Sequence, residues 1–89
     1  MVATQHATIR MQQRGIPEQV VRNIIAHGTT RKAPGGATAR FISRKDLQRL
    51  TRSLPKNECK QLDRHKSVYV VMDCESIITV GHRTRRFYR

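Results

Sequence analysis

Apolar positions recur along this chain in two different periods. Val20, Val21, Ile24 and Ile25 fall at i, i+1, i+4 and i+5, the stripe of an amphipathic helix. Pro17 suits the first turn of that helix, Glu18 complements its dipole, and Gly28 suits the residue after its last. The stripe is expected to pack on a sheet, with Arg22 and Asn23 outside. A shorter helix is expected before it, about Thr4 to Arg14. Thr4 can cap its N-terminus, Gly15 can take the left-handed conformation that ends it, and Ala7 and Met11 give it a narrow apolar contact. His6, Arg10 and Arg14 repeat at spacing four and span about 80° of the helix, a single polar stripe.

The remaining segments read mainly as strands. Thr29 to Ala33 and Thr38 to Ser43 flank Pro34-Gly35-Gly36, a strong turn signal, and predict a hairpin. Its only large apolar residues are Phe41 and Ile42, so it is expected at an edge of the sheet. Asp46 to Ser53 suggests a helical turn, with Leu47, Leu50 and Leu54 at spacings three and four, ended by Pro55. Pro55 to Lys66 is polar and charged and reads as loop. Ser67 to Asp73 and Ser76 to Arg83 are rich in Val, Ile, Tyr and Thr and predict two central strands around Cys74-Glu75. Both carry apolar residues on both faces, which suits a sheet covered by helices on one side and partly on the other. The order α-α-β-β-(α)-β-β predicts an α+β fold, two N-terminal helices on a small antiparallel sheet.

Size and charge narrow the function. With 89 residues the chain is expected to be a single domain with a thin core, burying roughly 60–65% of its unfolded surface. A large enzyme with separate cofactor and substrate domains is excluded. The longest apolar run, Val68 to Met72, is too short for a transmembrane helix, and residues 1–6 hold no apolar leader core, so a cytoplasmic protein is expected. Eighteen Lys and Arg face six Asp and Glu, a net charge of +12. Thirteen of the cations are Arg, whose fork favours directional phosphate contacts. Residues 1–45 carry +7 and residues 46–89 carry +5, so the folded body itself is positive. Such an excess points to a polyanion, nucleic acid first and an acidic protein second, against the plainer reading of a solvated basic surface. Cys59 and Cys74 lie fifteen apart, without C-x-x-C or zinc-ligand spacing, and are expected to be reduced thiols.

Six scattered acids are too few for a two-metal nuclease, so no metal and no cofactor are expected. No Gly-rich loop followed by Lys-Ser/Thr points to ATP, and no Ser-His-Asp or Cys-His nucleophile is legible. RNA cleavage without metal asks for less. The 2′-hydroxyl must lose a proton, the phosphate must be held, and the leaving 5′-oxygen must gain a proton. His6, His27, His65, His82 and the eighteen cations permit that chemistry without establishing it.

The ends of the chain carry a family pattern. His6-Ala7-x-x-Arg10-Met11-x-x-Arg14-Gly15-Ile16, then Glu18-x-Val20-Val21, Ile24-Ile25 and Gly28, resembles the opening of a bacterial family of small uncharacterised proteins. Tyr69-Val70-Val71 and Ile77-Ile78-Thr79-Val80 resemble that family's last two strands. The likeness spans about two-thirds of the chain, and about Arg44 to Lys66 departs from it, longer and more basic. The family is similar to the RelE and BrnT toxins of toxin–antitoxin pairs. The resemblance therefore implies a RelE-like domain over residues 1–89, a metal-independent endoribonuclease acting on RNA, chiefly mRNA. It further implies a small acidic antitoxin and a possible ribosome partner. The alternatives are a non-catalytic RNA-binding or ribosome-associated module, and a basic interaction protein for an acidic partner.

By similarity the leading His falls on His6 and the helix arginines on Arg10 and Arg14, while the sheet and C-terminal roles fall on the His82-Arg83 strand end and the Arg85, Arg86, Tyr88 tail. The candidate catalytic residues are His6, Arg10, Arg83 and Tyr88. The candidate RNA contacts are Arg14, Lys32, Arg40, Lys45, His82, Arg85 and Arg86. Each has a plainer reading. His6 can hydrogen-bond a neighbouring strand, Arg14 can bind carbonyls at its helix end, and Tyr88 can dock the tail. His27 reads as a dipole-complementing residue beside Gly28, and His65 as a solvated loop residue. Arg83 is preferred over His82 on the open side because strict alternation puts it on one face with Ile77 and Thr79.

Overall fold

A computed structural model describes residues 2–82. The fold is α+β: helices lie on one face of a sheet whose four main strands are antiparallel. The N-terminal pair is α1 (Gln5–Gln13) and α2 (Glu18–His27). The Thr4 hydroxyl accepts from the Ala7 N–H at 3.2 Å to start α1, and Gly15, at φ +62°, turns the chain out of it. A two-residue strand, β1 (Val2–Ala3), precedes α1 and was not legible in the periodicity. The hairpin is β2 (Thr29–Lys32) and β3 (Thr38–Phe41), closed by a 3-10 turn at Pro34–Gly36. Two further helices follow, α3 (Arg44–Leu50) and α4 (Lys56–Arg64), then β4 (Val68–Asp73) and β5 (Ser76–His82). The sheet order is β1-β5-β4-β3-β2, with β1 parallel to β5 and every other pair antiparallel.

Three expectations are corrected. The segment after Pro55 is helix. Proline lacks the N–H that a helix start leaves unpaired, so Pro55 ends nothing; it stands at the N-cap of α4, with Glu58 in the first turn. Asn23 is buried, and its Nδ2 donates to Glu58 Oε1 at 3.1 Å, tying α2 to α4. The hairpin lies at an edge of the sheet as expected, with β2 outermost and β3 between β2 and β4, while the two-residue β1 forms the other edge. Meanwhile α3 begins at Arg44, two residues early, because Ser43 and Asp46 cap each other's backbone N–H groups.

The core lies between helices and sheet. Val68, Val70, Met72, Ile77 and Val80 meet Ala7, Ile16, Val20, Val21 and Ile24, with Leu50 and Leu62 completing the cluster from α3 and α4. On the opposite face Phe41 pairs with Tyr69, and Tyr69 with Gly81, along one row of the ladder. A Cβ at Gly81 would lie 3.1–3.2 Å from the Tyr69 ring and hydroxyl, so the ring rests on the glycine. In β5 the ladder pairs Met72 with Ile77 but Val71 with Thr79. Ile78 is thus an extra residue, a β-bulge, and Ile77 shares the helix-covered face with Val80, not with Thr79. The strict alternation that grouped Ile77, Thr79 and Arg83 therefore breaks at Ile78.

Gly28 joins α2 to β2. Its backbone is extended, and what requires glycine is space: a Cβ would sit 2.5 Å from the Ile24 carbonyl oxygen and 2.7 Å from that of Phe41. Gly28→Ala is expected to cost about 2–3 kcal/mol, since both neighbours are backbone and neither can rotate away. Urea unfolding measures it, and an unchanged midpoint would mean that the α2–β3 approach is looser.

Candidate nucleic-acid interface

The strand directions sort the charges. Thr29, Phe41, Tyr69 and Gly81 form one row across β2, β3, β4 and β5, so β2 and β4 begin, and β3 and β5 finish, at the same end of the sheet. The C-terminus of α2, the N-terminus of α3 and the C-terminus of α4 arrive at that end. It consequently gathers His27, Arg44, Lys45, Arg64, His65, Lys66 and His82, three of the four histidines among them. The opposite end holds the Pro34–Gly36 turn, Lys32, and Asp73 and Glu75 flanking the β4–β5 turn. Sequence order alone distributes the charge evenly, whereas the fold polarises it.

Some of these cations have internal work. The Arg40 Nη1 donates to the Ile25 carbonyl at 2.9 Å and the Arg49 Nη2 to the His27 carbonyl at 2.9 Å. Both satisfy acceptors at the end of α2, where the helix dipole favours positive charge. Of the two acids near this end, Asp63 is exposed beside Arg64 and Asp46 is buried. Burial alone would raise its pKa, but hydrogen bonds from the Thr29 hydroxyl at 2.6 Å and from the Ser43 N–H and hydroxyl, with the charge of Arg49, lower it overall. It remains an internal carboxylate. Arg44, Lys45, Arg64 and Lys66 are all exposed and outnumber the exposed Asp63, so the end is positive towards solvent. Lys45 also borders a shallow depression of about 320 Å³ with Gln48, Arg49 and Arg52, on the outer face of α3.

At the centre of this end stands a polar cluster. Ser67 Oγ and His82 Nδ1 are 2.9 Å apart, a hydrogen bond made possible because Val68 pairs with His82 across the ladder. His65, the residue after α4, is half-buried, and its carbonyl accepts from the Val68 N–H at 3.0 Å. The His65 pKa is lowered by burial first, then by the nearby His82 and by Arg64. Its neutral imidazole, a proton acceptor, is thereby favoured. Among the described residues, no three His, Cys, Asp or Glu side chains converge to hold a metal ion, and no helix is long and apolar enough to cross a membrane.

The sequence-derived residues divide between places. His82 and Lys45 lie at the basic end. Lys32 lies at the far end of β2, and Arg40 is turned to the helix layer with its Nε buried and unpaired. His6 and Arg14 are exposed on α1, while Arg10 is half-buried and its Nε has no hydrogen-bond partner. Thr4, two residues before His6, is pinned to the Ile77 and Ile78 carbonyls at 3.1 and 3.3 Å. That anchor lies roughly 13 Å along β5 from His82, at about 3.3 Å per residue. No hydrogen bond or ion pair among the described residues joins His6, Arg10 or Arg14 to His82. Arg83, Arg85, Arg86 and Tyr88 lie outside the described residues. His65 and Ser67 are additions to the site. The signal for them was Pro55: taken as a helix start, it places His65 at a helix end, one short turn before a strand.

No protein-family model, no curated protein and no solved structure matches the chain.

Proposed function

We propose that this chain is a basic RNA-binding domain of the toxin type that cleaves RNA without a metal at the histidine-bearing end of its sheet. One observation carries the reading: the fold brings three separate stretches to one end, setting His82 against the contiguous Arg64-His65-Lys66-Ser67 and placing Arg44-Lys45 beside them. In this reading the cations hold the RNA backbone. His65 accepts the 2′-hydroxyl proton as the 2′-oxygen attacks phosphorus. The P–O5′ bond breaks, and the departing 5′-oxygen takes a proton from His82. The products are a 2′,3′-cyclic phosphate and a 5′-hydroxyl. Arg83 follows His82 directly in the chain and is assigned to the same phosphate. Arg85, Arg86 and Tyr88 are kept as tail contacts, and His6, Arg10 and Arg14 as a second basic surface on α1. The RelE-like character, the choice of mRNA, any ribosome contact, an acidic antitoxin and a cytoplasmic site belong to the same proposal.

Mixed-sequence RNA incubated with the protein in EDTA is the test. Cleavage leaving cyclic phosphate ends is expected. Activity lost to chelator and restored by Mg²⁺ would overturn the mechanism. Binding should weaken with salt, with a log–log slope of about −3.5 if about five phosphates of single-stranded RNA are engaged. A flat salt response would remove the electrostatic basis. Salt-sensitive binding without cleavage would select the non-catalytic module.

A further inference from the structure

The segment from residue 44 to residue 66 carries eight Lys and Arg against three Asp and Glu. Two of those three acids point inward. Asp46 is held by Thr29 and Ser43, and Glu58 Oε1 accepts from Asn23 Nδ2 at 3.1 Å and Gln19 Nε2 at 3.4 Å. Only Asp63 faces solvent. The outer surface of the α3–α4 arm is thus more positive than its sequence suggests.

Between α3 and α4 that surface opens into a groove of about 630 Å³. Leu47, Leu54 and the Cys59 thiol line it, with Leu47 and Leu54 continuous with the core but only half-buried. Lys56 and Lys60, one helical turn apart on α4, border it together with Asp63. A phosphate backbone gains nothing from a leucine floor, and no aromatic residue lines the groove for base stacking. A second copy would bring lysine against lysine. A single amphipathic helix satisfies both features, with apolar side chains at i and i+4 on the floor and carboxylates one turn apart against the lysines.

We propose that this groove docks an acidic amphipathic helix of a partner protein, its apolar stripe on Leu47, Leu54 and Cys59 and its carboxylates against Lys56 and Lys60. This gives the acidic partner of the functional reading a surface, and rests on that reading only for the partner's biological role. The docking surface is distinct from the His65–His82 end, so occupation of the groove and RNA chemistry are separately measurable.

The cysteines supply the readout. Cys59 Sγ donates to the Leu50 carbonyl at 3.4 Å beside the groove, whereas Cys74 is exposed in the β4–β5 turn and serves as an internal reference. The probe is a synthetic helical peptide of about 18 residues, long enough for several turns, with a leucine stripe and glutamates elsewhere. A lysine version and a version with serine replacing leucine are the controls. At ten times its Kd the glutamate peptide is expected to slow Cys59 alkylation about tenfold and leave Cys74 unchanged. Methyl resonances of Leu47 and Leu54 should shift, and those of Val80 should not. Lys56→Glu with Lys60→Glu, two exposed changes, should weaken binding about tenfold or more without altering the melting temperature. Unchanged Cys59 reactivity and unshifted leucines would overturn the proposal. So would equal protection by the lysine or serine peptide, or the same methyl shifts with a single-stranded oligonucleotide. All of this is measured without RNA, so a protein that binds the peptide but cleaves nothing refutes the nuclease reading alone.

Discussion

His82→Ala is expected to lower RNA cleavage about 100-fold or more while RNA affinity changes only a few-fold, because general acid–base groups contribute to the rate on that scale. The substitution also removes the hydrogen bond to Ser67, worth about 1 kcal/mol of stability. Ser67→Ala removes the same bond and keeps the imidazole, so it separates the roles. Equal loss of activity in both variants would make His82 structural. The pH profile adds a second discriminator. Burial, then His82 and Arg64, lower the His65 pKa from the ordinary 6.5, so the limb of the rate that needs neutral His65 should lie below pH 6.5. Arg64→Gln should move that limb upward, and His65→Ala should abolish it. A lowered histidine pKa also means that the unfolded chain takes up the proton first. Stability therefore falls as pH drops below 6.5 through the folded value, and melting curves must accompany the rates.

Leu62→Ala should cost about 2–5 kcal/mol, the usual range for emptying a leucine site in a core. Leu62 is 1% exposed and is the one buried residue of α4, which otherwise holds to α2 through the Glu58 bonds with Asn23 and Gln19. Against a total stability of about 5–15 kcal/mol, that loss is large. Chemical denaturation checks it, and a loss below about 1 kcal/mol would mean that α4 is held by polar contacts alone. Since His65 follows α4 directly, loosening the helix should also release the lowered His65 pKa towards 6.5.

The strongly periodic elements were legible in the residues themselves. The Val20–Ile25 stripe, the Thr4 cap, the Pro-Gly-Gly turn and the two Val/Ile-rich strands each state their conformation locally, and α2, α1, the hairpin and β4–β5 follow from them. What the chain conceals depends on tertiary partners. α4 is amphipathic but has one buried leucine among nine mostly charged or polar residues, so its composition reads as loop, and it is fixed by Glu58 meeting Asn23 across 35 positions of sequence. The same hidden helix masked the site. With residues 55–66 read as loop, His65 had no fixed place, and nothing local pairs it with His82. Arg40 shows the converse: its charge suggested a surface contact, but its register partner Val70 puts it on the helix-covered face, where an α2 carbonyl takes its proton donor.

The unpaired Ile78 gives β5 a spare length of chain. Removing it would leave Ile77 followed by Thr79 and Val80, which alternate regularly opposite Met72, Val71 and Val70. A one-residue deletion inside a central strand ordinarily turns every later side chain to the wrong face. Here it would do the opposite and iron the ladder flat, at the cost of the Thr4 bond to the Ile78 carbonyl. The strand is thus built to survive shortening at a single position, and a deletion there, unlike one at Val70 or Val80, should still yield a chain that folds with His82 beside Ser67.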